Sequence, residues 1–319
     1  MKAIVQRRYG SPATLALEEI ERPAPRDGEV LVRVRAASIF AGDVHAIRGR
    51  PVLMRLATGV RRPRNVVPGI DVAGVVEAVG PGVARLRPGD EVFGWSAGTL
   101  AEYACAAEDH FEPKPPRLTF EQAAGVPEAG MTALQGLRDQ GRVEPGQEVL
   151  VIGASGGVGT FAVQVAKALG ATVTAVCSTP NVEQARAIGA DRVIDYTKDD
   201  PAESGRRYDV IFQVAGTASP RRLRRLLSPR GTLVLSSGDG RLNGVDRIIG
   251  GAVVFALASQ RLGVFVTKEN HADLAALREL LESGSVTPVI DRTYPLEAAA
   301  EAFRYLETGH ARGKVVITV

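Results

Sequence analysis

The stretch Val149-Leu150-Val151-Ile152-Gly153-Ala154-Ser155-Gly156-Gly157-Val158-Gly159 decides how this chain is read. An apolar run suited to a buried strand breaks into glycines, and an apolar helical pattern follows from Thr160 to Leu169. Glycine has no Cβ, so the backbone can turn sharply there and come close to another group. Gly153, Gly156 and Gly159 fit G-x-x-G-x-x-G between a strand and a helix. Such a turn presents free amides at a helix N-terminus, where a diphosphate can sit. The expected cradle is Gly153, Ala154, Ser155, Gly156, Gly157, Val158 and Gly159.

Outward from this turn the pattern repeats. Short Val/Ile-rich strands at Glu148–Ile152, Thr172–Cys177, Arg192–Asp195, Asp209–Val214 and Thr232–Ser236 alternate with helical segments. A further strand is expected near Gly263–Thr267 and a helix over Ala272–Leu281. Alternation of this kind implies right-handed βαβ units and a parallel sheet covered on both faces. Before Pro116 the rhythm is different: short strands such as Val30–Arg35, Asp71–Val79 and Glu91–Phe93, with Pro-Gly turns at Pro68-Gly69, Pro81-Gly82 and Pro88-Gly89. Pro113-Lys114-Pro115-Pro116 reads as a stiff connector. The tail from Thr287 returns to mixed strand and helix, so a discontinuous first domain is expected.

The totals narrow the class. A chain of 319 residues exceeds one compact core. The net charge of +3, from 39 basic and 36 acidic residues, is too small to suggest a nucleic-acid partner. The basic run Arg221-Arg222-Leu223-Arg224-Arg225 reads as the solvated face of a helix. Cys105 and Cys177 suggest neither a disulfide framework nor a thiolate metal site. The N-terminus opens on a strand pattern without a signal-peptide character, and the longest apolar run, Ile248–Ala258, is too short to span a membrane. A cytoplasmic protein with no membrane partner is the expectation.

In a dinucleotide fold, an acidic residue at the end of the second strand holds the ribose of NAD. Here that strand ends Val176-Cys177-Ser178-Thr179-Pro180-Asn181, with no carboxylate to repel a 2′-phosphate. Ser178 and Thr179 offer hydroxyl donors, which favours NADPH over NADH, although the turn contains no Arg or Lys.

The whole chain resembles the zinc-independent quinone oxidoreductase (zeta-crystallin-like) group of the medium-chain dehydrogenase/reductase superfamily. The segments that carry the resemblance are Ala37–Asp43, Pro68–Gly74, Pro88–Gly94, Ala129–Leu134, the glycine turn and Gly309–Val316. It implies an α/β architecture with two domains. A GroES-like, mostly β catalytic domain would cover 1–118 and 268–319, and a Rossmann doubly wound parallel-sheet domain 119–267, with NADPH in the cleft. It also implies Tyr196 and, as a second candidate, Lys314 beside the 2′-phosphate, and Thr132, Val214, Ser237 and Thr267 near the nicotinamide. A homodimer joined edge to edge through the Rossmann sheets, with Ile248–Ala258 as a candidate contact, is expected by the same analogy.

Zinc relatives use a Cys, a His-Glu pair and a second Cys, which align with Phe40, Ile70 and about Glu128. Phe and Ile have no lone pairs to donate, so no metal is expected. None of the six tyrosines is followed by Lys four positions on, so a Tyr–Lys pair is missing as well. Without either device an alkoxide is hard to stabilise, whereas a quinone or α,β-unsaturated carbonyl spreads its charge by conjugation. The expected reaction is therefore NADPH-dependent reduction of a quinone or enone. Phe40, Asp43, His45 and Thr132 are the candidate pocket residues, with Phe40 and Trp95 as aromatic walls. His45 is weighed against a purely structural role, and Asp71 and Ser38 against simple hydrogen bonding in their loops. The alternatives are a stand-alone enoyl reductase of a biosynthetic pathway, or an NADPH-binding protein with little turnover.

Overall fold

The computed structural model describes residues 1–50, 52, 55–203, 205–236, 250–251, 254–256 and 258–319. In chain order the strands are β1 (Lys2–Gln6), β2 (Leu15–Glu19), β3 (Glu29–Ile39), β4 (Asp71–Val79), β5 (Glu91–Trp95), β6 (Tyr103–Ala107), β7 (Phe111–Pro113), β8 (Glu148–Ile152), β9 (Thr172–Cys177), β10 (Arg192–Asp195), β11 (Tyr208–Gln213), β12 (Leu227–Leu235), β13 (Arg261–Val264), β14 (Ile290–Pro295) and β15 (Lys314–Thr318). Among the helices are α1 (Ala41–Arg48), α2 (Arg55–Thr58), α3 (Phe120–Ala124), α4 (Pro127–Leu134), α5 (Gly157–Ala168), α6 (Val182–Ala187) and α7 (Pro220–Arg224), then His271–Glu282 and Ala299–Leu306. No described helix is long and apolar enough to cross a membrane.

Two compact units result. The first takes Met1–Glu128, Glu269–Glu282 and Pro288–Val319; the second takes Ala129–Lys268 and Ser283–Thr287. The first unit runs on to Glu128 rather than stopping at 118, because α3 packs on β3 and β4. Ser283–Thr287 goes with the second unit: the Gln164 side chain exchanges hydrogen bonds with the Thr287 amide and carbonyl.

The first unit is built on a sheet in the order β14-β15-β3-β4-β5-β7, with β6 also on β3 and a separate β1-β2 pair. Apart from the parallel β14-β15 pair, its ladders are antiparallel. In β3 the valines Val30, Val32 and Val34 enter the core while Arg33 and Arg35 face out, as the alternation predicts. Leu31 departs from it and is buried. The C-terminal β15 lies beside β3, so the first sheet needs both ends of the chain.

The second unit carries a wholly parallel sheet in the order β10-β9-β8-β11-β12-β13. Counted from β8 this is 3-2-1-4-5-6, the doubly wound dinucleotide order, with its reversal between β8 and β11. Val149, Leu150 and Val151 of β8 are fully enclosed, and each such side chain contributes about 1.5–3 kcal/mol of burial. β13 ends at Val264, short of the expected Gly263–Thr267, and β12 starts at Leu227, well before Thr232.

Candidate active site

The glycine turn sits at the carboxyl end of β8, beside the point where strand order reverses, the place where doubly wound sheets bind ligands. Each glycine has its own reason. Gly153 lies at φ +88, and a Cβ there would meet the Ala215 side chain just after β11 at 2.6 Å. A Cβ on Gly159 would stand 2.0 Å from the Gly153 carbonyl oxygen, so this glycine lets α5 close onto the turn. Gly156, the residue that precedes α5, is different. Its backbone is extended, at φ −81 and ψ 178, and an added Cβ would find only the Gly153 oxygen, at 3.7 Å. Among the described residues nothing requires glycine at 156; a ligand lying against the backbone would.

The amides divide in the same way. Those of Gly153 and Ala154 donate to the Val176 carbonyl at 3.2 and 3.1 Å, so they build the turn rather than offer themselves to an anion. In the first turn of α5, the amides of Gly157, Val158 and Gly159 have no carbonyl one turn earlier within the helix. They point the positive end of a 12-residue helix at whatever fills the turn. A diphosphate fits this donor set.

Ser155 and Ser178 are joined through Asn181, whose Nδ2 donates to both hydroxyl oxygens at 3.1 Å. The sequence reading passed over Asn181; a polar residue three positions after Ser178 could have drawn attention. Thr179 points elsewhere: its hydroxyl donates to Asp195 Oδ2 at 2.6 Å. Tyr196 is exposed, and its amide donates to the Cys177 carbonyl at 3.1 Å. The hydroxyls of Thr179 and then Thr197 hold the Asp195 carboxyl down at about 2.

Thr132 and Thr267 meet, Oγ1 to Oγ1, at 2.6 Å. Gln135 anchors the same segment by exchanging hydrogen bonds with the backbone of Lys268, a contact the sequence reading did not anticipate. The Val214 amide donates to the Ile152 carbonyl and so lies at the strand reversal. Ser237 and residues 248–249, 252–253 and 257 of the expected contact segment lie outside the described residues.

In the first unit a second cluster forms around Asp71. Its Oδ2 accepts from Ser38 Oγ at 2.7 Å and from Lys314 Nζ at 3.1 Å, and its Oδ1 from the Glu128 amide at 2.9 Å. Lys314 is therefore enclosed and paired, not a free cation awaiting a phosphate, and that expectation is set aside. Its ammonium also lies 5.7 Å from the centre of the Phe40 ring. Asp43, in the first turn of α1, accepts the Phe40 amide at 3.0 Å and is buried. The Phe40 ring lies across Gly42, where a Cβ would be 2.2 Å from its Cε2. His45 is half-buried in α1. Trp95 stacks on His110 at 4.7 Å between centroids and is only 8% exposed, which leaves little of it to wall a pocket.

Phe40 and Ile70 offer no lone pair, an ammonium already faces Asp71, and among the described residues no three His, Cys, Asp or Glu side chains are grouped for a metal.

Two carboxyls in this cluster are displaced upward. Burial, assisted by Asp71 and opposed by the Phe40 amide and by Lys314, raises Asp43 to about 7. Burial, then Asp71, Glu269 and Asp43, raises Glu128 to about 8 against the pull of Lys314. Between their ordinary values and these, the native chain holds protons that the unfolded chain has released. Stability should accordingly fall as pH rises from about 4 to about 8 and level off above. Glu128→Gln, which cannot ionise, should gain about 1–3 kcal/mol over the parent at pH 9 and nothing at pH 4. Urea midpoints at the two pH values check this; equal differences at both would contradict it.

Comparisons with known proteins agree with this geometry. Residues 26–116 match the alcohol dehydrogenase GroES-like domain, and residues 188–317 match a zinc-binding dehydrogenase domain. The chain is 35% identical to the chloroplastic NADPH-dependent alkenal/one oxidoreductase of Arabidopsis thaliana, over 99% of this chain and 79% of that protein. Among solved structures, the quinone oxidoreductase from Coxiella burnetii superposes with a TM-score of 0.87 at 30% identity, covering 100% of this chain and 99% of that one. The Escherichia coli quinone oxidoreductase complexed with NADPH gives 0.85 at 26% identity, over 100% of both chains. Two-unit architecture, strand order and full-length similarity lead to one conclusion: the chain belongs to the medium-chain dehydrogenase/reductase family, with its GroES-like and Rossmann-like domains, and is an oxidoreductase.

Proposed function

We propose that this protein is an NADPH-dependent, metal-free reductase of quinones and α,β-unsaturated carbonyls. The observation that carries the reading is Gly156, a glycine that no described residue requires, at the mouth of a helix whose first amides have no carbonyl one turn earlier within the helix. NADPH, when bound, supplies a hydride. The amides of Gly157, Val158 and Gly159 hold its diphosphate, and Ser155 and Ser178, fixed by Asn181, line the adenosine side with Tyr196. Thr132, Val214 and Thr267 border the nicotinamide side, with Ser237 in the same role. The substrate class follows from the missing metal donors. A conjugated acceptor shares its developing charge over several atoms and needs only hydrogen-bond donors to stabilise it.

The relatives named for alkenal/one and quinone reduction support the same assignment. NADPH oxidation against a panel of quinones, enones and acyl-carrier-bound enoyl substrates tests it. Turnover of quinones or enones that survives a chelator is expected; cofactor binding with no turnover on any arm would overturn it.

Phe40 forms an apolar wall on the substrate side, and Asp43 serves it by capping α1 from beneath. Phe40→Asn should lower the kcat/KM ratio of bulky over small enones by about tenfold, the scale of a lost apolar contact. An unchanged ratio would remove Phe40 from the pocket. The proposal includes a homodimer through the Rossmann sheet edge. β13 is an edge strand of the described sheet, and Val264 at its end and Val266 just beyond it are exposed. Sedimentation of the purified chain reads the oligomeric state directly.

A further inference from the structure

The turn after β9 contains no cation, which leaves a 2′-phosphate without a counter-charge there. The neighbouring strand supplies one. β10 runs parallel to β9 with Asp195 opposite Cys177, so the turns that follow the two strands lie side by side. The Tyr196 amide ties them together through the Cys177 carbonyl, and the Thr179 hydroxyl ties them again through Asp195.

From this second turn Lys198 extends its ammonium to 3.6 Å from Asp195 Oδ2, with 65% of its side chain in solvent. An ion pair that long and that exposed contributes at most about 1 kcal/mol. Asp195 meanwhile receives the shorter bonds of Thr179 and Thr197, at 2.6 and 2.7 Å. The carboxylate therefore keeps good partners if the ammonium turns away. A phosphate monoester, with up to two charges and three acceptor oxygens, is the stronger attractor for Lys198. The other charges of this turn are Asp199 and Asp200, and Asp200 is already paired with Arg222.

We propose that Lys198 is the cation that recognises the 2′-phosphate of the cofactor's adenosine ribose, while Asp195 beside it keeps that recognition weak enough for the unphosphorylated cofactor to bind as well. The inference rests on the dinucleotide reading of the glycine turn and deepens it. It also revises the role given to Thr179, whose hydroxyl orients Asp195 and is not a phosphate donor.

The test is calorimetric titration of the full chain with 2′,5′-ADP and with 5′-AMP, for the parent, Lys198→Gln and Lys198→Arg. In the parent, 2′,5′-ADP should bind about tenfold tighter than 5′-AMP at low salt, and the gap should narrow as salt is added. Lys198→Gln should bring the two ligands within about twofold of each other and leave 5′-AMP affinity unchanged. Lys198→Arg should retain the preference. A preference that survives Lys198→Gln, or a parent that favours 5′-AMP, would overturn the assignment of Lys198 while leaving the glycine turn as the cofactor site. If neither nucleotide bound any of the three proteins, the dinucleotide reading itself would fall, and this proposal with it.

Discussion

Gly159→Ala and Gly156→Ala should part company in a way that only a bound diphosphate explains. In Gly159→Ala the new Cβ stands 2.0 Å from the Gly153 carbonyl oxygen and 2.8 Å from Ala154 Cα, all of it backbone, so either α5 or the turn must move. Overpacking against main chain should cost about 2–4 kcal/mol and lower the melting temperature by several degrees. NADPH affinity should fall with it, since the amides of the first helical turn would no longer converge. In Gly156→Ala the added methyl meets nothing closer than 3.7 Å, at an ordinary φ. That variant should melt with the parent, yet bind NADPH about 10–100-fold more weakly, because the methyl occupies ground the ligand needs. Calorimetric melting and cofactor titration on the two proteins decide the matter. Unaltered affinity in a stable Gly156→Ala would remove the diphosphate from this turn.

The second large effect concerns the ion pair in the other unit. Lys314 and Asp71 have side chains 1% and 0% exposed and meet at 3.1 Å. Removing one member of such a pair strands the other charge in a low-dielectric interior, at a typical cost of 3–5 kcal/mol. Lys314→Met should therefore lower the urea midpoint sharply at neutral pH. Asp71→Asn combined with Lys314→Met removes both charges and keeps acceptor and donor atoms near Ser38 and the Glu128 amide. It should recover at least half of the loss, and the double-mutant cycle isolates the coupling between the two. A double variant no better than the single one would mean that shape, not charge, accounts for the loss.

Much of this architecture was legible in the sequence because it rests on local rules. A parallel sheet buried on both faces requires uninterrupted apolar strands, and β8, β9 and β10 were readable to the residue. The glycine turn was legible because sterics leave few residue types for Gly153 and Gly159. Misreadings came where distant segments decide. β13 stops early because the segment beyond it is tied by Thr267 and Lys268 to Thr132 and Gln135, partners more than a hundred residues away in sequence. The resemblance put Lys314 beside the 2′-phosphate as a second candidate, and only the β15–β3 pairing shows that it faces Asp71. Asp195 escaped notice for a related reason. The dinucleotide rule places an acidic residue at the end of the second strand, whereas this carboxylate comes from the third and is brought to Thr179 by parallel register.

Trp95 is the chain's one tryptophan, and it belongs to the GroES-like unit, stacked on His110. Its emission is thus a private reporter: a denaturation curve followed at the indole registers that unit alone, while far-ultraviolet dichroism registers both. If the two curves coincide, the units unfold as one cooperative body; if they separate, the order in which they fail can be read without attaching any label.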